Sequence, residues 1–206
     1  FDLTTLQRTA NRELGYTSQQ TLDYLQSLYE KKLCTYPRTD SRYLTDDMVS
    51  LIPELTRISA KICHSDVPLS LNTTICNSPK VTDHHAIVPT VSAMNADISV
   101  LPTGEREILH LVSRQLLCAV SEPFRYAETV AVLGCAGHIF TGKVRETLAD
   151  GWKAYTENEP NDKALPELKG NGEYQVKSIS VKEGTTTPPA HFTEDICCER
   201  GIRNHP

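Results

Sequence analysis

The first third of the chain places hydrophobic residues at the period of an α-helix. A helix is predicted over residues 3–14, with one apolar face formed by Leu3, Leu6, Ala10 and Leu14. Gly15 is placed to end it. A second helix is predicted after Thr17, which forms a capping-box pattern with Gln20. Its apolar stripe consists of Leu22, Leu25, Leu28, Tyr29 and Leu33. Two helices joined by a tight glycine-containing turn predict a helix-turn-helix arrangement.

Two further helical patterns follow. Residues 45–47 have the form of a helix start, and apolar positions continue at helical spacing toward Cys63. Pro53 within this pattern predicts a kink or a fresh helix start. Another helix is predicted from residues 102–103, with acidic residues in its first turn. The polar, proline-broken stretch 64–82 is predicted to be a loop.

The pattern changes from helix to strand after Pro123. Residues 126–133 and 138–147 are rich in Val, Thr, Tyr and Phe, and two glycines lie in the four residues between them. This combination predicts a β-hairpin. Residues 173–181 alternate in polarity and predict another strand.

These patterns predict an α+β multidomain chain. Residues 1–122 are expected to form a mainly helical, helix-turn-helix-like domain, residues 123–195 an antiparallel β portion, and residues 196–206 an atypical tail without assigned function. A chain of 206 residues can bury one large core or two small ones. No run approaches the ~18 apolar residues of a membrane span. No secretory leader is recognisable, so a cytoplasmic location is expected.

Charge and cysteine content bear on whether the chain binds nucleic acid, holds zinc or forms disulfides. The chain carries 21 basic and 26 acidic residues, a net charge of −5, whereas nucleic-acid-binding domains usually present a basic patch. Residues 1–44 hold six basic and five acidic residues, so any DNA contact is expected to be local to this part. Seven irregularly spaced cysteines without a C-x-x-C pair predict reduced structural thiols rather than a zinc ribbon or a disulfide framework.

The most informative segment is residues 34–43, which read CTYPRTDSRY. Pro37 removes one backbone N–H and pushes Tyr36 toward an extended conformation. Arg38 offers a planar fork suited to a phosphate. A phenol beside a phosphate clamp is what phosphoryl transfer through a covalent tyrosine ester needs. The same residues also fit a proline-containing loop whose tyrosine merely packs on a neighbouring helix.

Residues 36–41 resemble the active-site tyrosine motif of type IA DNA topoisomerases, closest to the topoisomerase III branch. The resemblance covers roughly residues 1–195, and its other motifs, in the family's order, are 6–11, 21–30, 83–90, 149–152, 187–189 and 192–194. It implies a fragment of a bacterial isomerase that cleaves and rejoins one DNA strand for strand passage. The implied intermediate is a 5′-phosphotyrosyl ester.

The resemblance also implies residue roles. Tyr36 would be the nucleophile, Arg38 would neutralise the scissile phosphate, and His84 would help to hold that phosphate. DNA-binding roles are implied for Gln7, Arg8, Thr39, Ser41 and Arg42. Asp40 is expected to orient Arg38 or the backbone, and His85 to lie beside His84. Taken alone, a His-His pair is more often structural or a weak metal-ligand site than catalytic. Gln7 and Arg8 fit a solvated helix face equally well.

The cofactor and partners follow from the resemblance as well. Mg²⁺ is expected for the full-length enzyme, bound by a separate N-terminal domain, and no metal site is predicted in this chain. The expected partners are single-stranded DNA, that metal-binding domain and a helicase, in a bacterial, nucleoid-associated setting. The chain by itself is expected to be inactive.

Two other functions stay open from the residues alone. One is a non-catalytic helix-turn-helix DNA-binding module in which Tyr36 is structural. The other is a tyrosine recombinase, although those enzymes surround their tyrosine with several separated Arg and His residues in another order.

Overall fold

The computed structural model describes residues 1–68, 70–156, 170, 172–176, 178, 180–188, 191, 193 and 195–196. In this part of the chain the main elements are α1 (Leu3–Leu14), α2 (Ser18–Glu30), α3 (Ile52–Cys63), α4 (Thr103–Val120), β1 (Arg125–Cys135) and β2 (His138–Ala149). The predicted α+β class is confirmed. None of the described helices is long and apolar enough to cross a membrane.

The described residues fall into two compact units. The first contains Phe1–Phe124 with the described residues of 151–157 and 192–206, and the second contains Arg125–Asp150 with those of 158–191. The predicted division into 1–122, 123–195 and 196–206 stays a prediction, because much of the chain after residue 156 lies outside the described residues.

The ends of α1 and the start of α2 follow the sequence signals. The Asp2 carboxylate caps α1 by accepting a 2.6 Å hydrogen bond from the Thr5 N–H. Gly15 ends α1 with a φ of 73°, a left-handed conformation that glycine adopts without strain. Both hydrogen bonds of the predicted capping box between Thr17 and Gln20 are present.

The buried face of α2 differs from the predicted stripe. Leu25 and Leu28 are fully buried, but the third buried residue is Thr21, whereas Leu22 is half-buried and Tyr29 is 40% exposed. Thr21 can enter the core because its hydroxyl donates a 3.0 Å hydrogen bond to the carbonyl one turn earlier. Tyr29 therefore lies at the surface, at the end of the helix.

The core of the first unit is built around α4, which packs against α1, α2 and α3. The fully buried hydrophobic residues of α4 are Ile108, Leu109, Val112, Leu117 and Val120. Glu105 in its first turn is also buried, and its carboxylate accepts hydrogen bonds from Lys31 and, at 2.8 Å, from Ser27. Since a buried carboxylate needs such partners, this cluster fixes the end of α2 to the start of α4.

The segment before α3 resolves the ambiguity at Pro53. A 3₁₀ helix spans Asp46–Leu51, and α3 begins at Ile52 with Pro53 in its first turn. Proline is tolerated there because the first N–H groups of a helix have no intrahelical acceptor. The predicted fresh helix start is confirmed.

The regular secondary structure in the described residues of the second unit is a hairpin. β1 and β2 pair antiparallel through a two-residue turn at Ala136 and Gly137, whose φ angles are 48° and 80°. The predicted strands are confirmed and longer than expected. The strand predicted over 173–181 is wrong for the described residues 173–176, 178 and 180–181, which show no strand; residues 177 and 179 lie outside the described residues.

Gly151 shows why one motif of the resemblance contains glycine. Its φ is 50°, and a Cβ there would lie 2.5 Å from the backbone of Glu122 and Pro123. The next residue, Trp152, donates a 2.9 Å hydrogen bond to the Glu122 carbonyl. The chain can therefore approach residues 122–123 this closely only without a side chain at 151.

Candidate active site

Two segments that are distant in sequence lie side by side. The tyrosine segment (34–43) and the histidine segment (80–90) pair through an antiparallel bridge between Cys34 and Pro89. The Thr35 N–H donates to the Val88 carbonyl at 3.0 Å, and the Ala86 N–H donates to the Tyr43 carbonyl at 2.9 Å. The backbone thus brings together the two motifs that carry the predicted catalytic residues.

Both segments rest on the hydrophobic core. Cys34, Ala86, Ile87 and Val88 are each at most 4% exposed. Burial raises the pKa of the Cys34 thiol to about 12, so the thiol stays protonated and serves as a packing group. The core therefore holds the position of the backbone next to Tyr36.

Hydroxyl groups add a second set of links. The Thr39 hydroxyl donates to the His84 carbonyl at 2.7 Å and accepts from the Ser41 N–H at 3.1 Å. The Ser41 hydroxyl lies within hydrogen-bond distance of the Tyr43 and Lys80 carbonyls, at 3.3 and 3.2 Å. Thr39 and Ser41 are buried and fix the loop in this structure, so their DNA contacts stay predictions.

Arg38 lies at the centre of a tight turn, where the Thr39 N–H donates to the Pro37 carbonyl at 3.2 Å. Its side chain is exposed and forms no ion pair with any residue that the structure describes.

Asp40 accepts a 2.7 Å hydrogen bond from the Thr82 hydroxyl. In this structure Asp40 therefore links the two segments.

The Tyr36 ring contacts one aromatic ring from each neighbouring element. Its centroid lies 4.3 Å from that of His84, with 45° between the planes, and 5.5 Å from that of Tyr29, edge to face at 80°. Tyr36 is half-buried, and its hydroxyl has no hydrogen-bond partner among the described residues. Two of the residues predicted to be catalytic, Tyr36 and His84, are thus in contact.

His85 is oriented by its own neighbour. Its Nδ1 lies 2.8 Å from the Ala86 carbonyl, which can only accept, so this nitrogen carries the proton. His85 is half-buried, whereas His84 is exposed. Its predicted supporting role stays a prediction.

Gln7 and Arg8 have internal partners on α1. The Gln7 side-chain amide donates to the Ser18 carbonyl at 2.9 Å, which links α1 to α2. The Arg8 Nε donates to the Asp195 carboxylate at 2.6 Å. Both residues therefore contribute to packing of the first unit, and their contact with DNA stays a prediction.

Arg42 binds the N-cap of α1. It donates to the Asp2 carboxylate at 2.5 Å and to the Thr5 hydroxyl at 2.9 Å. Burial raises the pKa of Asp2, but the hydrogen bonds from Arg42 and Thr5 and the Arg42 charge outweigh it, so the pKa is lowered. In this structure Arg42 stabilises the start of α1, and its DNA contact also stays a prediction.

Tyr29 belongs to this site, although the sequence pattern assigned it to the apolar stripe of α2. The signal that identifies it is its place in the last turn of the helix that leads directly into the tyrosine segment.

No group of three His, Cys, Asp or Glu side chains in the described residues is arranged to hold a metal ion. The site thus contains the phenol of Tyr36 in contact with the rings of His84 and Tyr29, and the guanidinium of Arg38 lies two residues further along the chain. A phenol, an imidazole and a guanidinium are groups that phosphoryl transfer to a tyrosine can use.

Comparison with known proteins identifies the family. A family model described as DNA topoisomerase matches residues 1–196. DNA topoisomerase 3 of Bacillus licheniformis is 36% identical over 94% of this chain and 28% of its own length. DNA topoisomerase 3 of Bacillus subtilis is 34% identical over 94% of this chain and 29% of its own length.

A solved structure agrees with these relatives. Full-length topoisomerase I from Thermotoga maritima is similar at a TM-score of 0.64 and 25% identity, over 82% of this chain and 28% of that chain. The chain spans less than a third of the length of each relative described here. It belongs to the type IA DNA topoisomerase family, on the topoisomerase III branch.

Proposed function

We propose that this chain supplies the nucleophile of a bacterial type IA topoisomerase, which cleaves and rejoins one DNA strand for strand passage. One observation carries the proposal: the Tyr36 ring contacts His84 while backbone and core hold both segments in place. The exposed guanidinium of Arg38, two residues after the phenol, supports it, because a phosphate can reach a cation that no described residue neutralises.

The reaction is a transesterification. The Tyr36 phenol oxygen forms a bond to a backbone phosphorus, and the bond from that phosphorus to the 3′ oxygen of the preceding nucleotide breaks. The products are a 5′-phosphotyrosyl ester and a strand that ends in a 3′ hydroxyl. The number of phosphoester bonds is unchanged, so the 3′ hydroxyl can attack in reverse and rejoin the strand without ATP.

Charge and protons set the roles of the neighbours. Phenols are largely protonated near neutral pH, so the attacking hydroxyl must lose its proton, and the leaving 3′ oxygen must gain one. Arg38 neutralises the phosphate and the charge that develops on it, and His84 holds the same phosphate. Thr39, Ser41, Arg42, Gln7 and Arg8 are proposed to bind the flanking DNA backbone, with Asp40 and His85 in support.

The proposal assigns the remaining parts to the rest of the enzyme. The described residues offer no fitting metal-ligand set, so Mg²⁺ is proposed to bind in a separate acidic domain. Single-stranded DNA and that domain are the proposed partners, with a helicase as a further candidate in a nucleoid-associated setting. The chain by itself is expected neither to relax supercoiled DNA nor to bind DNA tightly.

The test uses a reconstituted enzyme, in which this chain replaces the matching region of Bacillus licheniformis topoisomerase 3. It is mixed with Mg²⁺ and a single-stranded oligonucleotide labelled at either end. A 3′ label is expected to become covalently attached to the protein, whereas a 5′ label is expected in the released fragment. Absence of any adduct, while the unaltered Bacillus enzyme forms one, would contradict the enzymatic function and favour a DNA-binding module.

Two controls separate the parts of the proposal. Tyr36→Phe is expected to abolish the adduct, whereas Tyr126→Phe, in the hairpin, is expected to retain it. An adduct that survives Tyr36→Phe would show that another residue is the nucleophile. Efficient Mg²⁺-dependent relaxation by the 206-residue chain alone would overturn its proposed dependence on a separate metal-binding domain.

A further inference from the structure

We infer that Tyr29 is a positioning residue for Tyr36: its ring selects the side-chain conformation from which the Tyr36 phenol attacks. The inference rests on the proposed function, because it assumes that Tyr36 is the nucleophile. Tyr29 lies within motif 21–30 of the resemblance, but that motif assigns it only to the apolar stripe of the helix and gives it no role in the reaction.

The first step is that the backbone alone does not orient the phenol. The backbone beside Tyr36 is fixed on both sides, by the Thr35–Val88 hydrogen bond and by the links from Thr39 to His84. The side chain still rotates about its first two torsions, and its hydroxyl has no partner among the described residues. Its direction must therefore come from ring contacts.

The second step concerns the two rings in contact with Tyr36. His84 is exposed and is proposed to bind the phosphate of the DNA. No phosphate-binding role is proposed for Tyr29. It meets the Tyr36 ring edge to face at a centroid distance of 5.5 Å, within the 4.5–7 Å range in which aromatic pairs attract.

The third step is that Tyr29 projects from a rigid base. Its neighbour Leu28 is fully buried, and the buried Glu105 carboxylate binds both Ser27 and Lys31 around it. The end of α2 is thereby anchored to α4. A ring on this anchored turn can hold the ring of Tyr36, whereas the reverse is not expected.

The fourth step is that the exposure of Tyr29 is unusual for a packing residue. The side chain is 40% exposed, so its removal leaves no large cavity in the core. A role in stability alone therefore predicts little effect of substitution on either unfolding or cleavage. A positioning role predicts an effect on cleavage at unchanged stability.

The test compares Tyr29→Leu and Tyr29→Phe in the reconstituted enzyme. Single-turnover cleavage at saturating DNA is expected to slow about three- to tenfold for Tyr29→Leu, because the attraction energy of one aromatic pair corresponds to a rate change of this size. For Tyr29→Phe, which keeps the ring, the rate is expected to fall by less than about twofold. The Kd for an uncleavable oligonucleotide and the Tm are expected to stay unchanged. Tyr126→Leu, a tyrosine of similar exposure (43%) in the other unit, is the matched control.

Each other outcome overturns the inference. Cleavage by Tyr29→Leu within about twofold of the unaltered rate would remove the positioning role. A Kd weakened by the same factor as the rate would make Tyr29 a DNA contact. Equal loss in Tyr29→Phe would assign the effect to the hydroxyl.

A second measurement is independent of activity. Aromatic NMR resonances of Tyr36 in the 206-residue chain, assigned with Tyr36→Phe, are expected to shift in Tyr29→Leu because the neighbouring ring current is lost. Unchanged Tyr36 resonances would overturn the inference even if no adduct ever forms. An adduct-negative reconstituted enzyme with shifted resonances would instead contradict the proposed function, and only the contact between the two rings would remain established.

Discussion

The paired tyrosine and histidine segments and the β1–β2 hairpin are both extended structures, but they are stabilised differently. The paired segments include buried residues such as Cys34, Ile87 and Val88 and rest on the core of the first unit. The hairpin has no fully buried residue along its two strands, and Ile139 and Phe140 are 77% and 59% exposed. Its two strands are joined by their own hydrogen-bonded ladder and by the turn at Ala136 and Gly137.

This difference shows which region can support chemistry. A two-stranded hairpin is marginal in water without a packed face, whereas a segment pinned to a core can hold side chains to within the tolerance that catalysis requires. The irregular strand pairing near Tyr36 is therefore the better candidate for a catalytic position than the regular hairpin. The most regular strand pairing and the candidate active site therefore lie in different regions of the chain.

The largest expected contrast in stability is between two isoleucines. Ile108→Ala, at a fully buried position of α4, is expected to lower the free energy of unfolding by about 2–5 kcal/mol. Ile139→Ala in the hairpin is expected to change it by less than about 0.5 kcal/mol. Urea denaturation followed by circular dichroism measures both. A comparable loss for Ile139→Ala would show that the hairpin is packed in solution and break the comparison.

The second contrast separates the two arginines of the tyrosine segment. Arg38→Ala is expected to slow cleavage by the reconstituted enzyme on the order of a hundredfold, the effect of losing one donor to a developing charge. Its Tm is expected to be unchanged, because Arg38 has no ion pair among the described residues. Arg42→Ala is expected to lower the Tm by loss of the Asp2 contact, with a smaller effect on cleavage. A large loss of cleavage for Arg42→Ala with little loss for Arg38→Ala would contradict the proposed role of Arg38 in binding the phosphate.

The smallest effect concerns the capped start of α1. Asp2→Ala is expected to cost about 1 kcal/mol at pH 7. The pKa of Asp2 is lowered in the folded state, so its contribution is complete above the unfolded-state value of about 3.9 and is lost as the pH falls through the folded value. The difference between Asp2→Ala and the unaltered chain should therefore shrink below about pH 4.

Denaturation at pH 7 and at pH 3 measures this change. Asp23→Ala, an exposed aspartate on α2, is the control. A cost of Asp2→Ala that is as large at pH 3 as at pH 7 would show that the carboxylate charge does not contribute through Arg42.

The sequence predicted the elements better than the contacts between them. Caps and turn residues, such as Gly15, Thr17 and Pro53, act within a few residues, so their signals are local and were confirmed. The burial of Thr21 in place of Leu22 depends on how α2 packs on α4, which periodicity does not contain. The strand predicted over 173–181 failed in the described residues because alternation does not supply a pairing partner.

The candidate site shows the same division. The family resemblance identified the tyrosine and histidine motifs, and the family is confirmed. Sequence patterns predicted neither that Arg42 binds Asp2 nor that Thr39 binds the His84 carbonyl. They also did not identify Tyr29 as the helix residue that contacts Tyr36. These are contacts between segments, and only the folded chain brings them into range.

The most direct test of the central claim locates the covalent bond. Adduct formed by the reconstituted enzyme is trapped in denaturant, digested with nuclease and protease, and analysed by tandem mass spectrometry. The mass of a residual nucleotide attached through its 5′ phosphate is expected on the peptide that contains Tyr36, at the tyrosine itself. The same mass on Tyr29, Tyr43 or a serine, or only on the Bacillus portion of the protein, would contradict the assignment of Tyr36 as the nucleophile.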